Sequence, residues 1–157
     1  MAKEPLPRIR DHAMNRHPKD RKIAVAFDGS EGSRRALREA FLMAGAGSHK
    51  LSVVFIEELP RYPGAPSETN EERERMDALF EQLSREAATE GLSCGVQVQA
   101  EKRVAHPAQG LVQYARDAEI DVLILGHSGH SGLWGTFLGT TADKVVRHAP
   151  CSVFVVR

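Results

Sequence analysis

At 157 residues the chain has the length of one domain with a core of its own. Hydrophobic residues make up 41% and charged residues 27%, an ordinary mix for a water-soluble fold, and Lys+Arg and Asp+Glu balance at 21 each. That balance gives no pull toward nucleic acid or an anionic membrane, no apolar run approaches a membrane span, and no apolar stretch follows Met1 as a secretory signal would require. The cytoplasm is the expected location, with no membrane or nucleic-acid partner. Cys94 and Cys151 are then expected to be free buried thiols in strands, with neither a disulfide nor a metal site between them.

Residues 1–21 carry six Lys/Arg, three acids and three prolines with almost no periodicity, the composition of a disordered basic arm. Lys22–Phe27 reads as a short apolar strand ending in the turn Asp28-Gly29-Ser30. Ser30 has the chemistry of an N-cap, and Ala36, Leu37, Ala40, Phe41 and Ala44 form the inner face of the helix it opens. Gly45 and Gly47 end that helix, and Leu51–Ile56 is the second strand. A Pro-rich loop over 57–66 leads to Thr69-x-x-Glu72, the form of a capping box. Met76, Leu79, Phe80, Leu83 and Ala87 then stripe one side of a long helix, which Gly91 stops. Gly95–Ala100 alternates and reads as a third strand with one wet face. Pro107 suits a first helical turn, followed by Ala108, Leu111, Val112 and Ala115 on the buried side. Val122–Leu125 is the fourth strand. Thr140-x-x-Asp143 opens the last helix as a capping box, Ala142, Val145, Val146 and Ala149 give its apolar side, and Ser152–Val156 is the fifth strand.

Strands and helices therefore alternate from end to end. Short, nearly continuous apolar strands in such an alternation predict an α/β fold: one open, doubly wound, five-stranded parallel sheet with helices on both faces. Ligands of such sheets bind beyond the carboxyl ends of the strands, where the strand order reverses.

The chemistry-bearing stretch is Ile120–Ala142. Five glycines, Gly126, Gly129, Gly132, Gly135 and Gly139, fall within fourteen residues between a strand and a helix start. Glycines let the backbone approach an anion, and helix-start amides with the helix dipole favour negative charge. The same glycines also suit a surface loop that needs left-handed turns. There is no G-K-[ST] of a Walker loop and no G-x-G-x-x-G of a dinucleotide fold.

The spacing Gly126-x2-Gly129-x9-Gly139-Thr140 resembles the G-x2-G-x9-G-[ST] signature of the universal stress protein family, in its ATP-binding branch. The tail GTTADKVVRHAPCSVFVVR is similar to that family's C-terminus, and the resemblance covers roughly residues 21–157. It implies strand order 3-2-1-4-5, which puts the reversal between strands one and four, at Asp28 and Gly126. It also implies a universal stress protein domain over 22–157 that binds ATP (or ADP or AMP) with Mg2+ or Mn2+. By the resemblance, Ala26 lines the pocket, Asp28 accepts from ribose or adenine, and Phe55 falls where main-chain groups meet the adenine. Gly126, His127, Ser128, Gly129, His130, Ser131 and Gly132 map onto the phosphate loop, and Gly139, Thr140 and Thr141 onto its second half. His130 stands near the place where family members often carry Lys or Arg. A histidine is mostly neutral at pH 7, so its attraction for phosphate is weaker and pH-dependent. Leu133 and Trp134 read as a hydrophobic latch on the loop. The resemblance further implies a homodimer through the last strand.

No catalytic set and no metal-ligand spacing stands out. The reading is an ATP-binding stress-response protein acting as a nucleotide-dependent regulator or interaction module for an unidentified protein partner, with at most slow ATP hydrolysis. The alternative is a nucleotide-free dimeric interaction module of the same fold. An adenylyl-transfer enzyme would need a different motif after strand one than DGSEGS. An FMN binder would need stacking aromatics beyond Trp134.

Overall fold

β-Branched and other apolar residues in short runs can be satisfied on two faces only if helices cover both, and the chain does this throughout. The structure is a computed structural model of the chain and describes residues 21–47, 50–58, 70–127 and 138–157. In order, the elements are β1 (Ile23–Ala26), α1 (Glu31–Gly47), β2 (Leu51–Glu58), α2 (Asn70–Ser93), β3 (Val98–Ala105), α3 (Pro107–Asp117), β4 (Val122–Gly126), α4 (Thr140–His148) and β5 (Ser152–Val156). The strands form one all-parallel sheet in the order β3-β2-β1-β4-β5. The predicted basic arm, Thr69 of the capping box, and the Leu133–Trp134 latch lie outside the described residues.

Period-2 alternation sorts each strand's side chains into two cores. Ile23 and Val25 of β1 pack with Val53 and Phe55 of β2 under α1 and α2, against Leu37, Phe41, Leu83 and Ala87. Ala24 packs to the other side with Val54, Leu123 and Leu125, under Leu111, Tyr114 and Ala115 of α3 and Val145 of α4. Burial of this apolar surface on both faces is the main stabilising contribution.

Several boundaries differ from the sequence reading, each for a local reason. Gly91 does not stop α2. It lies inside the helix because a Cβ there would meet Val98 Cγ2 at 2.6 Å and Val96 O at 2.9 Å, so the glycine serves the close approach of the next segment. The turn at Cys94 and Gly95, with Gly95 at φ 69°, moves the start of β3 to Val98. Cys94 is accordingly exposed and in no strand, and Cys151 is only half-buried; both are free thiols. β3 runs on through Glu101-Lys102-Arg103, a charged stretch that an edge strand tolerates, and pairs with β2 as far as Glu58↔Ala105. Val146, read as apolar face, is exposed on α4.

The first half of α2 is largely exposed and carries Met76 and Phe80 as its half-buried apolar residues. Two contacts hold it down. Phe80 meets Phe55 with ring centroids 6.1 Å apart. Beside them, Glu57 of β2 is 5% exposed, and its Oε2 lies 2.5 Å from Lys102 Nζ, which also reaches Asp77 Oδ1 of α2 at 2.7 Å. Burial pulls the Lys102 ammonium down, but its hydrogen bonds to Asp77 and Glu57 outweigh this and hold its pKa above the ordinary lysine value. The stabilisation this raised pKa reports is complete below the ordinary lysine range and is lost as pH rises through the raised value.

Removing one partner of a buried pair strands the other charge. Lys102→Met keeps the stem and leaves Glu57 unpaired, and it is expected to cost about 3 kcal/mol, read as a lower urea midpoint with an unchanged slope. An unmoved midpoint would reduce the cluster to a surface pair.

Candidate functional site

The sheet's strand order reverses between β1 and β4, and their carboxyl ends open into a crevice of about 550 Å³. The turn after β1 forms one wall. Asp28 Oδ1 accepts a hydrogen bond from Ser30 N at 2.9 Å, and Gly29 between them takes φ 78°, which a glycine adopts without strain. Ser30 Oγ accepts from Ser33 N at 3.2 Å, so Ser30 caps α1 as the sequence led one to expect. The Asp28 carboxylate is thus fixed in direction by the start of α1. Arg34 ties the same turn to α2, donating from Nε to Gly29 O at 3.1 Å and pairing with Glu86.

The opposite wall is the end of β4. A Cβ on Gly126 would stand 2.7 Å from both C and O of Gly32, so the backbone of β4's last residue lies against the first turn of α1. His127 follows. Its N–H donates to Val156 O at 2.7 Å, and its carbonyl accepts from Gly139 N at 3.0 Å. These two bonds anchor the base of the β4–α4 connection to β5 on one side and to the start of α4 on the other.

α4 begins differently from the sequence expectation. Gly139 is the N-cap residue and no side chain caps the helix. Thr140 is the first helical residue, and Asp143 N bonds to Gly139 O at 2.8 Å. The Asp143 carboxylate does not return to close a capping box. Arg147 Nε donates to its two oxygens at 2.9 and 3.0 Å, and that hydrogen bond holds the carboxyl below the ordinary aspartate range. The first-turn amides of α4 therefore have no side-chain acceptor, and the helix dipole adds to them.

Of the sequence-predicted residues, Ala26, Asp28, Phe55, Gly126, His127, Gly139, Thr140 and Thr141 all line this one crevice. Ser128, Gly129, His130, Ser131 and Gly132 lie outside the described residues. Sequence reasoning missed Glu58, Met76, Leu79 and Pro107 as lining residues. Met76 and Leu79 were visible as a helical stripe, but a stripe at that spacing reads as core. Here it overhangs the crevice, and Leu79 is 37% exposed.

Chemically the crevice has an apolar body and a polar rim. Val54, Phe55, Met76 and Leu111 offer surface for a flat apolar group, and the α4 start offers donors for an anion. Among the described residues, no three His, Cys, Asp or Glu gather as a protein-held metal ion would need. No described helix is long and apolar enough to cross a membrane.

A family model described as the universal stress protein family matches residues 20–157. A universal stress protein of Thermus aquaticus, encoded in a sulfhydrylase 3′ region, is 30% identical over 136 residues, covering 86% of this chain and 97% of the relative. Among solved structures, the universal stress protein UspA from Lactobacillus plantarum superposes with a TM-score of 0.75 at 25% identity, over 87% of this chain and 97% of that one. A universal stress protein solved in complex with cAMP superposes with a TM-score of 0.68 at 26% identity, over the same shares of 87% and 97%.

The Gly126–Gly32 contact is backbone against backbone, so neither side can yield by rotating a side chain. Gly126→Ala should therefore lower stability by about 2 kcal/mol in urea unfolding. A fully stable variant would show that β4 and α1 can separate at no cost.

Proposed function

The chain belongs to the universal stress protein family, and on that premise we propose that it binds an adenine nucleotide in the β1–β4 crevice, ATP (or ADP or AMP) with Mg2+ or Mn2+. Occupancy alters its contacts with an unidentified protein partner. The observation that carries this reading is the uncapped start of α4, whose amides border an apolar crevice of nucleotide size. The relative of like fold bound to cAMP supports the choice of an adenine nucleotide. The residues fit a nucleotide. A divalent cation would arrive on the phosphates, because the described residues gather no metal-ligand set of their own. Asp28, held by Ser30 N, orients an acceptor toward ribose or adenine. No group is assigned to water activation, so the role is binding and regulation with at most slow hydrolysis, in the cytoplasm.

A second reading, a nucleotide-free dimeric module, has its own support. β5 is an edge strand, its Phe154 is 43% exposed, and Val146 is exposed on the neighbouring α4. Such an edge accepts an antiparallel copy of itself across a twofold axis, and the proposed homodimer forms there whether or not nucleotide binds.

Calorimetry separates the two readings. Wild type is expected to bind ATP with Mg2+ at sub-millimolar nucleotide. Gly129→Asp, which adds a like charge in the phosphate loop, is expected to lose binding while keeping a native circular dichroism spectrum. A wild type silent to every adenine nucleotide leaves the module reading.

The dimer is tested apart from the ligand. Val155→Pro removes an edge N–H and adds a ring that obstructs pairing. It should move sedimentation from dimer toward monomer at micromolar protein, and an unmoved dimer would place the interface elsewhere.

A further inference from the structure

The half of α2 that overhangs the crevice carries a different chemistry on each flank. Successive residues of a helix are turned by about 100°, so Met76 and Phe80 share one line, and Asp77 and Leu79 fall on opposite sides of it. Met76 and Phe80 face the sheet and pack on the core that holds Phe55 and Leu83. Asp77 stands toward β3, where its Oδ1 accepts from Lys102 Nζ at 2.7 Å. Leu79 stands on the other flank and lines the crevice with Met76, Val54, Phe55, Pro107 and Leu111. It is an apolar side chain left partly in water beside an apolar cavity wall.

Lys102 is placed to fix that orientation. In the β2–β3 register it stands opposite Phe55, so the two side chains leave the sheet on the same face. Glu57, two residues further along β2, shares that face and is buried, with its Oε2 2.5 Å from Lys102 Nζ. The ammonium is thus anchored to the sheet by Glu57 and reaches α2 through Asp77. This half of α2 is largely exposed, so a charged contact at its β3 flank weighs heavily in how the helix is turned. With Asp77 drawn to β3, Leu79 is turned over the crevice.

Resting on the nucleotide reading above, we propose that Leu79 contacts the base of the bound nucleotide, and that Asp77 and Lys102 are positioning residues for that contact. The base is the flat, largely apolar part of the ligand. An aliphatic side chain laid on it removes apolar surface of both from water. Neither Asp77 nor Lys102 is among the crevice-lining residues, so both act by holding the helix.

The test is calorimetry on the full chain with AMP and with ATP in excess Mg2+, beside urea unfolding of each variant. Leu79→Ala is expected to weaken both nucleotides by the same factor, about fivefold, because the base is common to them. Leu79→Met restores an apolar side chain of like volume and should recover most of the affinity. Asp77→Ala keeps the Glu57–Lys102 pair, and because Asp77 is exposed the urea midpoint should stay nearly unmoved. It is expected to weaken both nucleotides about threefold. The variant carrying both alanines should bind about as weakly as Leu79→Ala alone, because Asp77 acts through Leu79.

AMP binding as tight in Leu79→Ala as in the wild type would overturn the inference and leave the nucleotide reading standing. So would a loss confined to ATP, which would move the effect of Leu79 to the phosphate end. Losses that multiply in the double variant would overturn the positioning role of Asp77 and Lys102. A wild type silent to both nucleotides would overturn the nucleotide reading and this inference with it.

Discussion

The contact on which the rest of this structure depends is the one between the backbones of Gly126 and Gly32. Right-handed crossovers send β1 to β2 in one direction and β4 to β5 in the other, so a gap must open between β1 and β4 at their carboxyl ends. How wide that gap is depends on how closely α1 can start beside β4. With glycine on both sides the two backbones touch, and α1 begins almost on top of the last residue of β4. The Asp28 turn, capped by Ser30, then projects over the crevice instead of away from it. Gly126 thus has a packing reason for being glycine that precedes any ligand.

The order and type of the elements were legible in the sequence because this fold speaks through the two signals that sequence carries best. Parallel strands buried on both faces appear as apolar runs, and their covering helices appear as stripes at 3.6-residue spacing. The errors fall where a tertiary contact overrides a local preference. Gly91 looks like a helix stop and is a close-approach site. The third strand, read as ending at Ala100, continues through Glu101-Lys102-Arg103, because one side of that run faces solvent and Lys102 is satisfied by Glu57 and Asp77. Cys94 looks like strand and is in a turn. Thr140 looks like a cap and is helix, because Gly139 N is already drawn to His127 O.

The candidate site was legible to the extent that it sits on strand ends and helix starts. The residues after β1 and β4 and at the head of α4 were found from their place in the pattern. The α2 overhang was not, because nothing in the spacing of Met76 and Leu79 distinguishes a residue over a crevice from one in a core. Its placement follows from three-dimensional constraints: the Phe55–Phe80 contact and the Lys102 bridge bring the exposed half of α2 across the end of β2. One wall of the crevice is therefore held by an ion cluster in which Lys102 joins buried Glu57 of β2 to exposed Asp77 of α2.

The two edges of the sheet are chemically unlike. β5 ends the sheet with Val153, Phe154, Val155 and Val156, whereas β3 ends it with Gln99, Glu101, Lys102 and Arg103 and runs eight residues in register with β2. A sheet with two inviting edges could add copies at either end and grow into a filament without limit. Here growth could be accepted on one side only, and a like edge meeting its own copy about a twofold axis uses itself up in doing so. The charged run that carries β3 beyond Ala100 is, in these terms, a terminator. Strand addition to this sheet would then be left to β5 alone.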